Sequence, residues 1–252
     1  MPGNAKRGLF LFNTDAYIKS IFMTKHAIIT GDIVASRNIA PLQKEKLYSD
    51  IDAFLRSLKK KWLLEYETYR GDSIQCEARS PELSLRVALI IRSYVMGYTP
   101  DEMKKKILRS QKKGAVPKGY FNVAFDIRLA IGIGEVDFIK RKKLSSSDGI
   151  AFQLSGEALD NLKEEPRRLV FKSADQTLNI DIEPLIYLLD ALTQKWTQNQ
   201  AVLVLNKLQD KKDEEIAKLF KISISAVNQR KRTAQWTAIE KAVTYFETKL
   251  KK

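Results

Sequence analysis

The stretch that most constrains the fold is "LEYETYRGDSIQCEA", residues 64–78. Two β-rich runs meet at Gly71-Asp72, and a Gly-Asp step between such runs reads as a hairpin. A segment of helical period lies on each side. Upstream, Leu47, Ile51, Phe54, Leu55 and Leu58 recur through "LQKEKLYSDIDAFLRSLKKKW", one apolar face of a helix. Downstream, "ELSLRVALIIRSYV" follows Pro81 and predicts an apolar helix with proline near its start. "HAIITGD" comes before the first helix as a short strand, and "FDIRLAIGIGEVDFI" comes after the second as a long one. "IAFQLSGEALDNLK" then predicts a helix, with Asp148 or one of the preceding serines as its N-cap. "RRLVFKS" and "QTLNIDI" read as two further strands, and everything from about Glu183 reads as helical.

The resulting order, β-α-β-β-α-β-α-β, predicts an α+β fold of the ferredoxin-like, palm-type group. A length of 252 residues suits a mid-sized domain followed by a small one. The expected division is a palm-like domain over residues 23–182 and a small all-helical domain over 183–252. Residues 1–22 start basic and then turn apolar, but "GLFLF" is short and is interrupted by Asn13 and Asp15. They are expected to be a poorly ordered extension, or the product of a start placed upstream of Met23, rather than a signal peptide.

The helical remainder contains "DEEIAKLFKISISAVNQRKRTAQW", which has the marks of a helix-turn-helix. Ile216, Ala217 and Leu219 would pack its first helix. Ile222 would point inward from the turn, Ser223 would cap the second helix, and Val227 would anchor it. The exposed face would then carry Ile224, Ser225, Asn228, Gln229 and Arg232, with Arg230 and Lys231 placed for phosphates. Asn, Gln and Arg can hydrogen-bond base edges. The formal charge of the chain is +14, and residues 195–252 hold 13 basic and 6 acidic residues, half of that surplus. The charge suits a polyanionic partner such as DNA, or phosphorylated ligands. A solvated basic face that docks on protein is the alternative. The basic runs Lys104–Lys106, Lys112–Lys113 and Arg141–Lys143 would extend a nucleic-acid surface or simply be solvated.

One cysteine, Cys76, permits no disulfide framework and fits a reducing, cytoplasmic setting. It lies in a strand-like run and is expected in the core. The single histidine, His26, leaves no material for a His-rich zinc site. No apolar run reaches membrane-spanning length.

A second Gly-Asp step, "ITGDIVASR", ends the first strand at Asp32. Two carboxylates at the ends of neighbouring strands can hold Mg²⁺ or Mn²⁺, which take hard oxygen ligands. Asp32 and Asp72 are the candidate pair; the plain alternative is two turn residues. Arg37 and Arg70 flank these acids and could bind phosphate or pair with the carboxylates. Ser145, Ser146 and Ser147 could offer hydroxyls and N–H groups to an anion, or merely cap. Gly132 and Gly134 sit in a strand, where glycine allows close approach of a backbone or ligand.

"TGDIVASR", "YRGDSIQC", "IRLAIGIGEV" and "DGIAFQLSGEAL" resemble, in order, the core of the class III nucleotide cyclases. The resemblance implies that Asp32 and Asp72 are metal ligands and that the Ile33 carbonyl adds a third. It also matches Arg128, Gly132, Gly134 and Val136 to the family's strand motif. Aligned on Gly149, Gln153 stands at the family's asparagine and Glu157 at its phosphate-stabilising arginine, so the helix departs from the pattern. Taken whole, the chain resembles the SatD family, with Ser147 to Asp160 as its last motif, and its C-terminal part resembles the region-4 helix-turn-helix of sigma factors.

These readings predict a DNA-binding regulatory protein whose first domain binds a nucleotide or phosphorylated ligand with Mg²⁺ or Mn²⁺. The ligand-contacting set would be Arg37, Arg70, Ser147 and Gln153. The alternatives are a metal-dependent nucleotidyl cyclase or nucleotidyl-transfer enzyme using Asp32 and Asp72, and a non-catalytic docking module. No catalytic residue is assigned. Homodimerisation is an expectation carried by the helix-turn-helix and by the cyclase resemblance.

Overall fold

The computed structural model describes residues 25–69, 71–100 and 123–251. The expected N-terminal extension, Arg70 and the basic runs within residues 104–113 lie outside the described residues. In chain order the elements are β1 (His26–Ile33), α1 (Pro41–Leu58), β2 (Leu63–Tyr69), β3 (Ser73–Ala78) and α2 (Ser84–Gly97). Then come β4 (Ile127–Gly134), α3 (Ile150–Leu162), β5 (Leu169–Ser173) and α4 (Gln176–Thr193). Four helices close the chain: α5 (Gln198–Leu208), α6 (Asp213–Phe220), α7 (Ile224–Thr233) and α8 (Trp236–Leu250).

The five strands form one sheet in the order β2-β3-β1-β4-β5. β1 is central and antiparallel to both β3 and β4, and β2 pairs antiparallel with β3 through the hairpin. This is the ferredoxin-like arrangement that the element order predicted. β5 adds to it parallel to β4. Parallel neighbours cannot be joined by a tight turn, and α3 is the crossover between them.

Alternation along the strands assigns the two faces of the sheet. Ala27, Ile29 and Ile33 of β1 and Leu129, Ile131 and Ile133 of β4 join Leu47, Ile51 and Leu55 of α1 and the buried face of α2. On the opposite face, Ile28 packs with Ala151 and Phe152 of α3, and Ala130 packs with Ala158, Leu159 and Leu162 of α3 and with Val170 of β5. Thr30 and Asp32 share this second face by period. Gly132 lets α3 sit directly on β4: a Cβ there would stand 2.6 Å from the Ser155 N and 2.9 Å from the Ser155 Cβ. The glycines of "IGIG" therefore serve close approach of a helix backbone.

The core continues without a break into the C-terminal helices. Ile182 and Ile186 of α4, Val204 of α5, Ile216 of α6, Val227 of α7 and Phe246 of α8 belong to the same apolar cluster as the sheet. Phe171 of β5 meets Phe246 edge-on at 5.6 Å. Arg92 of α2 is wholly buried and is matched by fixed acceptors. It donates to both carboxylate oxygens of Asp126 at 3.1 Å, to Asp190 of α4 at 2.6 Å and to the Thr193 hydroxyl at 2.9 Å. Cys76 lies in the core, and burial pushes its thiol up.

Three local expectations are corrected. "QTLNIDI" is the first half of α4, not a strand. The Asp175 carboxylate caps this helix by accepting from the N–H groups of Thr177 and Leu178, and the buried stripe Ile182, Ile186, Leu189 has helical period. Gly149, rather than Asp148 or a serine, is the N-cap of α3; its φ of 135° is open to glycine alone. Asp148 instead accepts from the Gly149 N–H and the Gln153 amide. Leu219 of α6 is 55% exposed, while Ile216 and Ala217 carry the packing. Among the described residues no helix is long and apolar enough to cross a membrane.

Candidate functional site

Asp32 closes β1, and its register partners are Ser73 at the start of β3 and Arg128 on β4. The sheet thus brings three elements of chemical interest to one strand end. The Ile33 N–H donates to the Asp72 carbonyl at 3.0 Å, which ties the end of β1 to the hairpin. Gly71 makes that hairpin possible with a φ of 79°. Asp32 and Asp72 both face a cleft of about 870 Å³ at this edge of the sheet.

Each carboxylate has a partner. Arg128 Nη1 donates to Asp32 Oδ2 at 3.0 Å, and the Ser36 hydroxyl donates to Asp72 Oδ2 at 2.6 Å. Ser36 sits in a single helical turn over Ser36–Asn38, entered through Ala35 in the left-handed region at φ 53°. Asp32 Oδ1 and Arg128 Nε are both buried and have no hydrogen-bond partner among the described residues. Burial raises the Asp32 carboxyl above its ordinary range; Arg128 pulls it back and the charge of Asp72 adds to the rise. Burial, and then the charge of Asp72, raise the Tyr48 hydroxyl in the same way.

The remaining walls are cationic, hydroxylic and partly apolar. Arg37 and Asn38 come from the turn after β1, Thr30 and Ser73 from the strands, Tyr69 from the hairpin, and Gly156, Leu159, Asp160 and Lys163 from α3 and its C-terminal end. Of the sequence-predicted ligand residues, Asp32, Ile33, Asp72 and Arg37 are brought together here. Arg70 lies outside the described residues. Ser147 and Gln153 are not in this group. The Ser147 hydroxyl accepts from the Lys140 N–H at 2.8 Å, and Gln153 donates to Asp148, both at the N-terminal end of α3. Sequence reasoning missed Ser36, Lys163 and the Asp32–Arg128 pairing.

An Mg²⁺ or Mn²⁺ ion can be tested against these donors. The set offers two carboxylates, a nearby main chain and an unpartnered buried carboxylate oxygen on Asp32. All are hard oxygen donors, and magnesium is commonly held by one or two carboxylates with the rest of its shell from water and phosphate. The residues fit such an ion. Among the described residues no three His, Cys, Asp or Glu side chains gather into a metal-holding group, so ligand or water oxygens would complete the shell.

The segment expected to be a helix-turn-helix holds two short helices, α6 and α7, joined by a turn. Lys221 makes the turn in the left-handed region, and the Ser223 hydroxyl caps α7 by accepting from the Ala226 N–H at 3.1 Å. Val227 faces inward, while Ile224, Ser225, Asn228, Gln229 and Arg232 are exposed. Arg230 is half-buried. Lys231 is tied back to Asp213 of α6 at 2.7 Å, and Lys207 of α5 reaches the same carboxylate at 2.9 Å.

No family model and no curated protein matches the chain. Among solved structures it is similar to the adenylyl cyclase CyaB from P. aeruginosa, at 13% identity over 54% of this chain and 71% of that one, with a TM-score of 0.34. It is also similar to a bacterial light-regulated adenylyl cyclase, at 13% identity over 59% of this chain and 75% of that one, with a TM-score of 0.37.

Proposed function

We propose that the cleft between β1, the β2–β3 hairpin and α3 binds a nucleotide or related phosphorylated ligand together with Mg²⁺ or Mn²⁺, as a site of the nucleotidyl-transfer or cyclase type. The observation that carries this reading is the convergence of Asp32 and Asp72 on one cleft whose other walls bring Arg37, Arg128 and Lys163. Carboxylates alone would repel a phosphate, and cations alone would need no metal; the mixture suits a metal-bound polyphosphate. A bound divalent ion neutralises phosphate charge and activates an attacking oxygen. The protein's own part is to hold the ion and the ligand. Ser36 fixes one oxygen of Asp72, Arg128 fixes one oxygen of Asp32, and Asp32 Oδ1 is left for the ion.

A thermal-shift series of nucleoside triphosphates with and without Mg²⁺ or Mn²⁺ tests the reading. A ligand at one hundred times its Kd stabilises the native state by about 2.7 kcal/mol. A metal-dependent shift that Asp72→Asn abolishes supports the reading, and turnover of the same triphosphate would place it among enzymes. No shift with any triphosphate in either metal would overturn it.

A second reading, DNA binding through α7, is favoured by its capped helix-turn-helix geometry and by the exposed row Ser225, Asn228, Gln229 and Arg232. Under it, Arg232→Ala and Asn228→Ala weaken binding to a selected duplex, and Arg232→Ala lowers the salt slope if that side chain meets phosphate. Binding that stays weak, salt-sensitive and unchanged in both variants would remove it.

A further inference from the structure

The resemblance to nucleotide cyclases places the phosphate-stabilising arginine of its helix at position 157, where this chain has Glu157. On α3 that position is exposed and does not line the cleft. The residues of this helix that do line it are Gly156, Leu159, Asp160 and Lys163. Their spacing of i, i+3, i+4 and i+7 defines one helical face. That face ends in a cation.

We infer that Lys163 is the phosphate-binding cation of the α3 wall, and that Gly156 is the residue that leaves room for the ligand beside it. The inference rests on the metal-and-phosphate reading of the cleft. Arg128 cannot serve the same role freely, because one terminal nitrogen is spent on Asp32 and its side chain is 17% exposed. Arg37 stands on the turn after β1. Lys163 stands at the C-terminal end of α3, where the helix carries partial negative charge that would repel an anion. A lysine at this point reverses the local sign. Its present partner is Asp160, at 2.6 Å, with the two side chains 47% and 73% exposed. Exposed pairs three residues apart contribute little, so Lys163 is released easily to a better-charged partner.

Gly156 supplies the second half of the inference. Among the described residues a Cβ built there meets nothing within 4 Å, unlike Gly132 and Gly134, whose places are closed by α3 itself. Packing does not require glycine at 156, and glycine is unfavourable inside a helix. The residue faces the cleft, so what its missing side chain preserves is open volume against Leu159 and Lys163.

The test uses the full chain, with inorganic tripolyphosphate plus Mn²⁺ and ATP plus Mn²⁺ followed by calorimetry, and Mn²⁺ alone followed by electron paramagnetic resonance. Lys163→Gln is expected to weaken both phosphate probes about tenfold, the loss of one charge-assisted contact, and to leave binding of Mn²⁺ alone no weaker, since a cation beside the site is removed. Asp160→Asn, which frees Lys163, is expected to leave phosphate binding unchanged or tighter. Gly156→Leu is expected to block ATP while the thermal midpoint stays level or rises, because leucine is the better helix former; loss of ATP but not tripolyphosphate assigns the space to the nucleoside, and loss of both assigns it to the phosphates. Wild-type binding that Lys163→Gln and Gly156→Leu both leave intact overturns the inference while the cleft reading stands. A wild type that binds neither Mn²⁺ nor either phosphate probe removes the cleft reading and the inference together.

Discussion

Arg128 and Asp32 are register partners on adjacent strands and meet at 3.0 Å, yet each keeps one buried polar atom without a partner among the described residues. Burial outweighs the arginine and raises the Asp32 carboxyl. A raised carboxyl is protonated more readily in the native than in the unfolded chain, so its charge becomes a liability as pH climbs. Stability is therefore expected to fall as pH rises through the window that opens at 3.8 and ends at the raised value. Asp32→Asn should remove that slope in urea titrations across the window. Protons compete with metal for the same oxygen, so Mn²⁺ affinity should fall on acidification at a higher pH than for an ordinary carboxylate. Arg128→Met, which takes away the lowering influence, should move that midpoint further up.

The hydroxyl of Ser36 fixes Asp72 at 2.6 Å. Ser36→Ala is expected to cost about 1 kcal/mol of stability and to weaken Mn²⁺ binding several-fold, with Asp72 still present but no longer held. Chemical denaturation and metal titration of the same variant separate the two effects. An unchanged metal affinity would show that the serine only stabilises the turn.

Arg92 is wholly buried between Asp126 and Asp190. Arg92→Met leaves Asp190, 1% exposed, as a buried charge without its cation. The expected loss is about 3–5 kcal/mol, the range for breaking a buried pair from one side. Arg92→Met with Asp190→Leu should recover part of it, and a double-mutant cycle in urea measures the coupling.

Gly132→Ala would set a Cβ 2.6 Å from the Ser155 N, against helix backbone that cannot rotate away. About 1–3 kcal/mol of destabilisation is expected, as for overpacking elsewhere. Loss of the Thr30–Ser155 hydroxyl contact, now 2.9 Å, should accompany it, as α3 lifts from β1.

Most of the sheet was legible because its strands alternate or run apolar between clear turn signals, as in "YRGDSIQC" and "IRLAIGIG". "QTLNIDI" misled because Leu178, Ile180 and Ile182 satisfy period two as well as part of a helical stripe. The cap at Asp175 and the continuation to Ile186 and Leu189 decide for the helix. In the site, the Gly-Asp steps pointed to Asp32 and Asp72. Lys163 was hidden because the other residues of the cleft lie on β1, the turn after it and the hairpin, and only the face 156-159-160-163 could have flagged it. Arg92 gave no signal at all, since an arginine in an apolar helix finds its acceptors 34 and 98 residues away.

The seating of α3 on Gly132 has a bearing on how such a cleft can diversify. At that point no side chain stands between helix and strand, so no rotamer change at 132 can raise or tilt the wall. There the helix height is set by main chain against main chain. Related chains that accept different ligands would then have to differ at the outward positions, 156, 160 and 163, while Leu159 stays in the core and the contact at 132 stays bare. The wall behaves as a fixed frame with three exchangeable inserts, which makes those three positions a compact library for altering what the protein binds.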